Sequence, residues 1–254
     1  MFHLYGLLIG LGVVAGIAVA TLQAKHFKVN SKLIDESLLW IVIPAIVGAR
    51  LYHVITDWQL YAYGPLIDTL KVWNGGLGYF GALIGGLLGL IAFAYTKGKK
   101  NPTEKFFLLV DLLSLGAPLA QAIGRFGNYF NRELYGVTTD LPWGILVNGQ
   151  RYHPLFAYEA IANLCVFIFI NWLGLKKKLH IGKGQYACIY LACYGLIRFW
   201  LEFLRIDTAR WSGALGIFSI AQWVAIGITL ASIIVFWLRR HSDRGIQWEL
   251  KTFL

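Results

Sequence analysis

Seven apolar segments, each long enough to cross a lipid bilayer, constrain the fold of this 254-residue chain more than any other feature. They span roughly residues 4–22, 37–55, 76–95, 106–123, 157–174, 185–203 and 215–238. Only 14% of the residues are charged, and the mean hydropathy is +0.60, whereas soluble proteins carry about 25% charged residues. The sequence therefore predicts an all-α polytopic membrane protein, with seven transmembrane helices in a single integral membrane domain over residues 1–254.

The first apolar segment is not expected to be a cleaved signal peptide, and the cysteines are not expected to form disulfide bonds. The first segment spans a full bilayer and follows no Lys or Arg, so we expect a retained helix rather than a cleaved signal peptide. Cys165, Cys188 and Cys193 all lie inside apolar segments. Their number is odd and their spacing matches no metal site, so we expect small core residues.

The basic residues predict the orientation of the chain. Of the 23 Lys and Arg, fifteen lie in alternate loops and the C-terminal tail, on one side of the membrane if seven helices are threaded. These are Lys25, Lys28, Lys32, Lys97, Lys99, Lys100, Lys105, Lys176, Lys177, Lys178, Lys183, Arg239, Arg240, Arg244 and Lys251. The positive-inside rule makes that side cytoplasmic, with the N-terminus outside and the C-terminus inside. Topology and attraction to anionic membrane lipid account for the net charge of +10, so no nucleic acid partner is expected.

The other eight basic residues are mostly arginine, and they indicate an anion site on the outer side. They are Arg50, Lys71, Arg125, Arg132, Arg151, Arg198, Arg205 and Arg210. Arginine presents a planar fork that suits phosphate or carboxylate. Ionisable residues within a span are costly and are candidates for function. Arg198 and Glu202 are four residues apart and share a helix face, which fits either a simple ion pair or a role in ligand binding. For Asp111 we expect a structural role. We expect an outward-facing, arginine-rich cavity for an anionic lipid headgroup.

The long connection over residues 124–156 predicts a small extracytoplasmic head between the fourth and fifth helices. It contains Pro142 and Gly144, and Asn148-Gly149 is typical of a tight turn between two short extended runs.

The stretch "GRFGNYFNRELYG" places many hydrogen-bonding groups directly behind the fourth apolar segment. It closely resembles the signature of the prolipoprotein diacylglyceryl transferase family, roughly G-R-x-G-N-[FY]-x-N-x-E-x-x-G. The residues on the signature positions are Arg125, Asn128, Asn131, Glu133 and Gly136.

Four further motifs resemble family motifs and follow in the family's order along nearly the whole chain. "LYGLLIG" supplies Tyr5, "GARLYHV" supplies Arg50, "HPLFAYEA" supplies His153, and "RFWLEFLR" supplies Arg198, Glu202 and Arg205. Without the resemblance, Tyr5 would be an ordinary interfacial aromatic residue.

One motif departs from the family pattern. The family has W-x-G-G-x-x-x-H-G-G-L-I-G where this chain has "WNGGLGYFGALIG", so Phe80 stands in place of a histidine proposed as the catalytic base. Phenylalanine cannot accept a proton. Tyr79, His53 and His153 are the nearby alternatives, and the sequence does not choose among them.

The resemblance implies transfer of the diacylglyceryl group from phosphatidylglycerol to the lipobox cysteine of a prolipoprotein signal peptide, in the bacterial plasma (inner) membrane. It implies no metal and no organic cofactor. As catalytic residues we expect Arg125, Arg198, Tyr5 and Glu202. As substrate-binding residues we expect Arg125, Asn128, Asn131, Glu133, Gly136, Arg50, Arg205 and His153.

In the implied roles, Arg125 and Arg198 bind the phosphate and Glu202 holds Arg198. Asn128 and Glu133 orient the headgroup and Arg125.

Two other hypotheses fit the sequence less well. A family member without catalysis, binding lipid or signal peptide, is supported only by Phe80. An anion transporter would suit interior arginines, but transporters commonly show an internal repeat, and none is visible here.

Overall fold

Seven helices make up most of the computed structural model, which describes residues 4–98, 101–131, 133–206, 208–210 and 216–240. They are α1 (Leu4–His26), α2 (Lys32–Thr56), α3 (Tyr79–Lys97), α4 (Pro102–Phe130), α5 (Leu155–Leu175), α6 (Gln185–Leu201) and α7 (Ile220–Arg240). Within the described residues, these seven are long and apolar enough to cross a membrane. The prediction of an all-α polytopic membrane protein is confirmed. Arg132 and the predicted start of the last segment at residue 215 lie outside the described residues.

The helix ends differ from the predicted segments because hydropathy measures apolar length and not backbone hydrogen bonding. Helices α1, α2, α4 and α5 extend beyond their segments, whereas α3 and α7 begin later than predicted and α6 ends at Leu201, before residue 203. The largest difference is in α4, which continues to Phe130 although its apolar segment ends near residue 123. Arg125 and Asn128 therefore belong to a regular helix, and residues 124–130 are helical instead of forming the start of the predicted head.

A β-hairpin occupies part of the connection between α4 and α5. Strand β1 (Ile145–Val147) pairs antiparallel with β2 (Gln150–Tyr152). Asn148 and Gly149 connect them with φ angles of 50° and 84°, as a type I′ turn requires. The predicted turn at Asn148-Gly149 is confirmed.

The chain forms two compact units, Asn30–Leu109 and the remainder, Met1–Val29 with Val110–Leu254. In Asn30–Leu109, α2 packs on α3 through glycines. A Cβ at Gly81 or Gly85 would clash with the backbone of α2, at Gly48 and at Pro44 respectively. This close approach is the packing that small residues allow between membrane helices.

In the other unit, α1 lies antiparallel along α4. Gly12 packs on the carbonyl of Ala120, and Gly16 packs on Gly116 one turn further along. A polar bridge joins α1, α4 and α5, since Gln23 Nε2 donates to Asn171 Oδ1 (2.8 Å) and Asn171 Nδ2 donates to the Leu115 carbonyl (2.9 Å). Buried amides within a membrane bundle need such partners.

Asp111 holds the N-terminus of α6 from a distance. Its side chain is fully buried in α4. Oδ2 accepts the backbone N–H groups of Gly182 (2.8 Å) and Gly184 (2.9 Å), and Oδ1 accepts that of Ala187 (3.1 Å). A helix N-terminus leaves N–H groups unpaired and favours negative charge, so the carboxylate satisfies the start of α6.

Asp111→Asn is expected to destabilise the protein by about 1–3 kcal/mol, because its amide replaces one acceptor oxygen beside N–H donors. Thermal unfolding of the purified protein in detergent would measure this. Asp35, exposed in the first turn of α2, offers the control Asp35→Asn, which should leave the unfolding temperature nearly unchanged. Equal unfolding temperatures for both variants would contradict the capping role.

Candidate functional site

An ion pair between Arg125 and Glu159 joins the C-terminal part of α4 to the first turns of α5. Arg125 Nη2 contacts Glu159 Oε1. The glutamate side chain is 3% exposed and the arginine side chain 26%. The carboxylate is therefore buried behind the guanidinium, and part of the guanidinium remains open to a ligand. Sequence reasoning did not assign Glu159, although "HPLFAYEA" contains it and a buried acid requires a cation.

A second buried carboxylate, Glu202, lies between two arginines at the end of α6. Arg198 Nη2 is 2.8 Å from Glu202 Oε2, and Arg205 Nε is 3.8 Å from the same oxygen. The first contact is a close ion pair without an aligned hydrogen bond to Oε2. Glu202 is 4% exposed and the arginines are 22% and 29% exposed. The predicted contact of Glu202 with Arg198 is present, and among the described residues both arginines form their ion pair with this one carboxylate.

The start of α7 supports Glu202. Ser219 precedes α7 and Gln222 lies three residues later, in the pattern of a capping box. Gln222 N donates to Ser219 Oγ (3.2 Å), and Ser219 N donates to Gln222 Oε1 (2.9 Å). Ser219 Oγ also donates to Glu202 Oε1 (3.1 Å). The cap of one helix thus fixes the carboxylate that holds Arg198.

Gly136 lies where three chain segments meet beside this cluster. It pairs with Arg205 in an isolated β-bridge, and its N–H donates to the His153 carbonyl (2.8 Å). A Cβ at Gly136 would lie 2.7 Å from the Leu204 carbonyl oxygen and 2.9 Å from His153 Cβ. Glycine is required for this crossing, which brings His153 and the start of α5 to the end of α6.

The other signature residues lie around the end of α4. Tyr5 of α1 packs its ring on Gly127, where a Cβ would be 2.8 Å from Tyr5 Cδ2. Asn128 is 7% exposed, and its Nδ2 is 3.5 Å from Glu133 Oε2. Asn131 is exposed. The structure thus places Glu133 on Asn128, whereas Arg125 pairs with Glu159.

Arg50, in the unit Asn30–Leu109, organises the connection between α2 and α3. Its guanidinium donates to four backbone carbonyls, those of Asp68 (2.6 Å), Thr69 (2.7 Å), Gly75 (2.7 Å) and Gly76 (3.1 Å). Arg50 is 6% exposed. Its donors are used by the loop, so the geometry assigns it to shaping that loop.

Phe80 lies in the first turn of α3 and is 58% exposed, with its ring centroid 6.1 Å from that of Tyr52. His53, on the same unit, has Nδ1 3.0 Å from Asp57 Oδ2. Tyr79 is 57% exposed and its ring contacts Phe80. The Phe80 ring thus lies beside the rings of Tyr52 and Tyr79, and its side chain cannot accept a proton.

The chemistry available in the unit of Met1–Val29 and Val110–Leu254 is that of a cationic site held by carboxylates. Among the described residues, Arg125 pairs with Glu159, and Arg198 and Arg205 both pair with Glu202. Among the described residues, no group of three or more His, Cys, Asp or Glu side chains could hold a metal ion. Seven membrane-spanning helices with partly exposed arginines held by buried carboxylates define the class of this chain as a polytopic membrane protein.

Comparison with known proteins identifies the family. The family model described as "Prolipoprotein diacylglyceryl transferase" matches residues 1–238. The chain is 36% identical over 251 residues to the phosphatidylglycerol–prolipoprotein diacylglyceryl transferase of Gloeobacter violaceus, covering 94% of this chain and 90% of that protein. It is 36% identical over 233 residues to the protein of that name from Finegoldia magna, covering 91% and 88%. The chain belongs to the prolipoprotein diacylglyceryl transferase family.

Proposed function

We propose that this protein transfers the diacylglyceryl group of phosphatidylglycerol to the cysteine thiol of a prolipoprotein lipobox. The thiol sulfur forms a bond to the glyceryl carbon, the bond from that carbon to the phosphate oxygen breaks, and glycerol phosphate leaves. The thiol proton is released in the same reaction. The nucleophile belongs to the substrate, so the reaction needs none of the chain's own cysteines.

The observation that most supports this function is the pair of buried carboxylates that hold partly open arginines. The leaving phosphate gains negative charge as the carbon–oxygen bond breaks, and fixed cations stabilise that charge without having to reorganise. Arg125 and Arg198 are proposed to bind the phosphate and stabilise the leaving group, with Glu159 and Glu202 fixing their positions.

The remaining residues have proposed supporting roles. Asn128, Asn131 and Glu133 orient the headgroup at the end of α4, and Tyr5 contacts the headgroup or the thiol. Gly136 permits the backbone crossing beside Arg205. Arg50 shapes its own loop.

The proposed location is the bacterial plasma membrane, with the N-terminus outside and the C-terminus in the cytoplasm. The excess of lysine in alternate connections supports this orientation. The arginine cluster would then lie toward the outer leaflet, where a lipobox cysteine is presented after export.

The decisive experiment uses the purified full chain in micelles containing phosphatidylglycerol, with a synthetic lipobox peptide followed by mass spectrometry. We expect the peptide to gain the mass of one diacylglyceryl group. A peptide with Cys→Ala, and micelles with phosphatidylethanolamine in place of phosphatidylglycerol, are the controls and should give no product.

Absence of product from protein that still binds phosphatidylglycerol would contradict the transferase and favour a family member without catalysis. In that case Phe80→His is the variant to test for restored transfer, since it supplies the proton acceptor of the family motif.

A further inference from the structure

We infer that His153 acts as a hydrogen-bond donor through Nε2–H, and that Tyr158 and Trp143 fix it in that tautomer. The inference rests on the proposed function, because the acceptor is an anionic phosphate oxygen of the phospholipid headgroup. It also removes His153 from the candidate proton acceptors.

The argument begins with a chain of hydrogen bonds between the hairpin region and α5. Trp143 Nε1 donates to Tyr158 Oη at 2.8 Å. Tyr158 Oη lies 3.1 Å from His153 Nδ1. Indole N–H is only a donor, so the tyrosine oxygen accepts from Trp143.

The tyrosine proton is then available to the next group in the chain. A hydroxyl that accepts on one side and donates on the other is polarised favourably, since such chains are cooperative. The inferred direction is therefore the cooperative one, in which the tyrosine hydroxyl donates to Nδ1 of His153. In a neutral imidazole one nitrogen accepts and the other carries the proton, so the proton lies on Nε2.

The backbone of His153 is fixed as firmly as its ring. His153 N donates to the Val137 carbonyl (3.1 Å), and the His153 carbonyl accepts from Gly136 N (2.8 Å). Val137 N in turn donates to the Leu204 carbonyl (2.8 Å), next to Arg205. The backbone of the half-buried His153 is thereby held beside the group in which, among the described residues, two arginines share one carboxylate, and such an excess of positive charge attracts an anion.

A histidine whose Nδ1 accepts from tyrosine and whose Nε2 carries a proton has no free lone pair for a thiol proton. Its contribution is a neutral N–H donor, positioned by two aromatic residues. Tyr158 and Trp143 are thus positioning residues for His153.

Two substitutions separate this role from the alternatives. In His153→Gln the amide nitrogen occupies the place of Nε2, and in His153→Asn the amide occupies the place of Nδ1. We expect His153→Gln to keep kcat/KM for phosphatidylglycerol within about threefold, and His153→Asn to lower it about 10- to 100-fold, as for a lost hydrogen bond to a charged group.

Tautomer and activity can be read independently. Nitrogen NMR of protein with ¹⁵N-labelled histidine, with the His153 signals assigned by their loss in His153→Gln, should show a protonated Nε2 and an unprotonated Nδ1. Tyr158→Phe should convert this to a mixture and lower kcat/KM. Tyr152→Phe is the matched control, because among the described residues its hydroxyl donates only to Oε1 of the exposed Gln150 (3.2 Å). It should leave both readouts unchanged.

Several outcomes would overturn the inference. Loss of activity in both His153 variants, with Nε2 unprotonated, would make His153 a base. Full activity in both would leave it without a role, and activity in His153→Asn alone would place the useful donor at Nδ1. Failure of the wild-type protein to transfer would refute the proposed function instead, while the NMR result would still report the tautomer.

Discussion

Arg125→Ala is expected to lower the rate of diacylglyceryl transfer by about 10²- to 10³-fold, the usual cost of removing one group that stabilises a developing oxyanion. The guanidinium is 26% exposed in front of a buried glutamate, so it can reach a phosphate while its position is fixed. Initial rates with the lipobox peptide would measure the effect.

Arg125→Lys tests whether charge alone suffices. Lysine keeps the positive charge but lacks the planar fork that binds a carboxylate and a phosphate together, so we expect most of the loss to remain. Arg151→Ala is the control, because Arg151 is an exposed hairpin residue whose Nη1 donates to the Pro142 carbonyl (3.1 Å). Arg125→Ala protein that inserts and unfolds normally yet keeps its activity would remove Arg125 from the mechanism.

Features set by local sequence were predictable. The seven helices follow from apolar length, and the hairpin turn follows from Asn148-Gly149, a dipeptide that adopts positive φ at both positions. Arg198 and Glu202 were expected to share a helix face because they are four residues apart, and they do form an ion pair.

Contacts set by packing between helices were not predictable in the same way. Arg125 and Glu159 are 34 residues apart, and only the antiparallel packing of α4 and α5 brings them together. Glu133, eight residues further along the chain, is the acidic residue nearest to Arg125 in sequence, but it lies near Asn128 instead. The capping box of Ser219 and Gln222 is a local feature, but its contact with Glu202 depends on how α6 and α7 pack.

Glu159→Gln is expected to lower kcat about 10²-fold while changing the binding of phosphatidylglycerol much less. Glutamine keeps the size and one acceptor oxygen but loses the charge that holds Arg125, and a small misplacement of a catalytic group has an effect of this size. Single-turnover rates, together with binding of phosphatidylglycerol, would separate the two quantities. Asp140→Asn, at an exposed carboxylate in the same connection, is the control and should be neutral.

A double variant decides whether Glu159 acts through Arg125. If it does, Glu159→Gln combined with Arg125→Lys should lose little more activity than Arg125→Lys alone, because residues in one contact are not additive. Additive losses would mean that Glu159 contacts the substrate or the fold independently. Since the Glu159 side chain is only 3% exposed behind Arg125, it has little surface left for a substrate. The non-additive result is therefore the one that the geometry requires, and it would place Glu159 beside Glu202 as the second carboxylate that positions a phosphate-binding arginine.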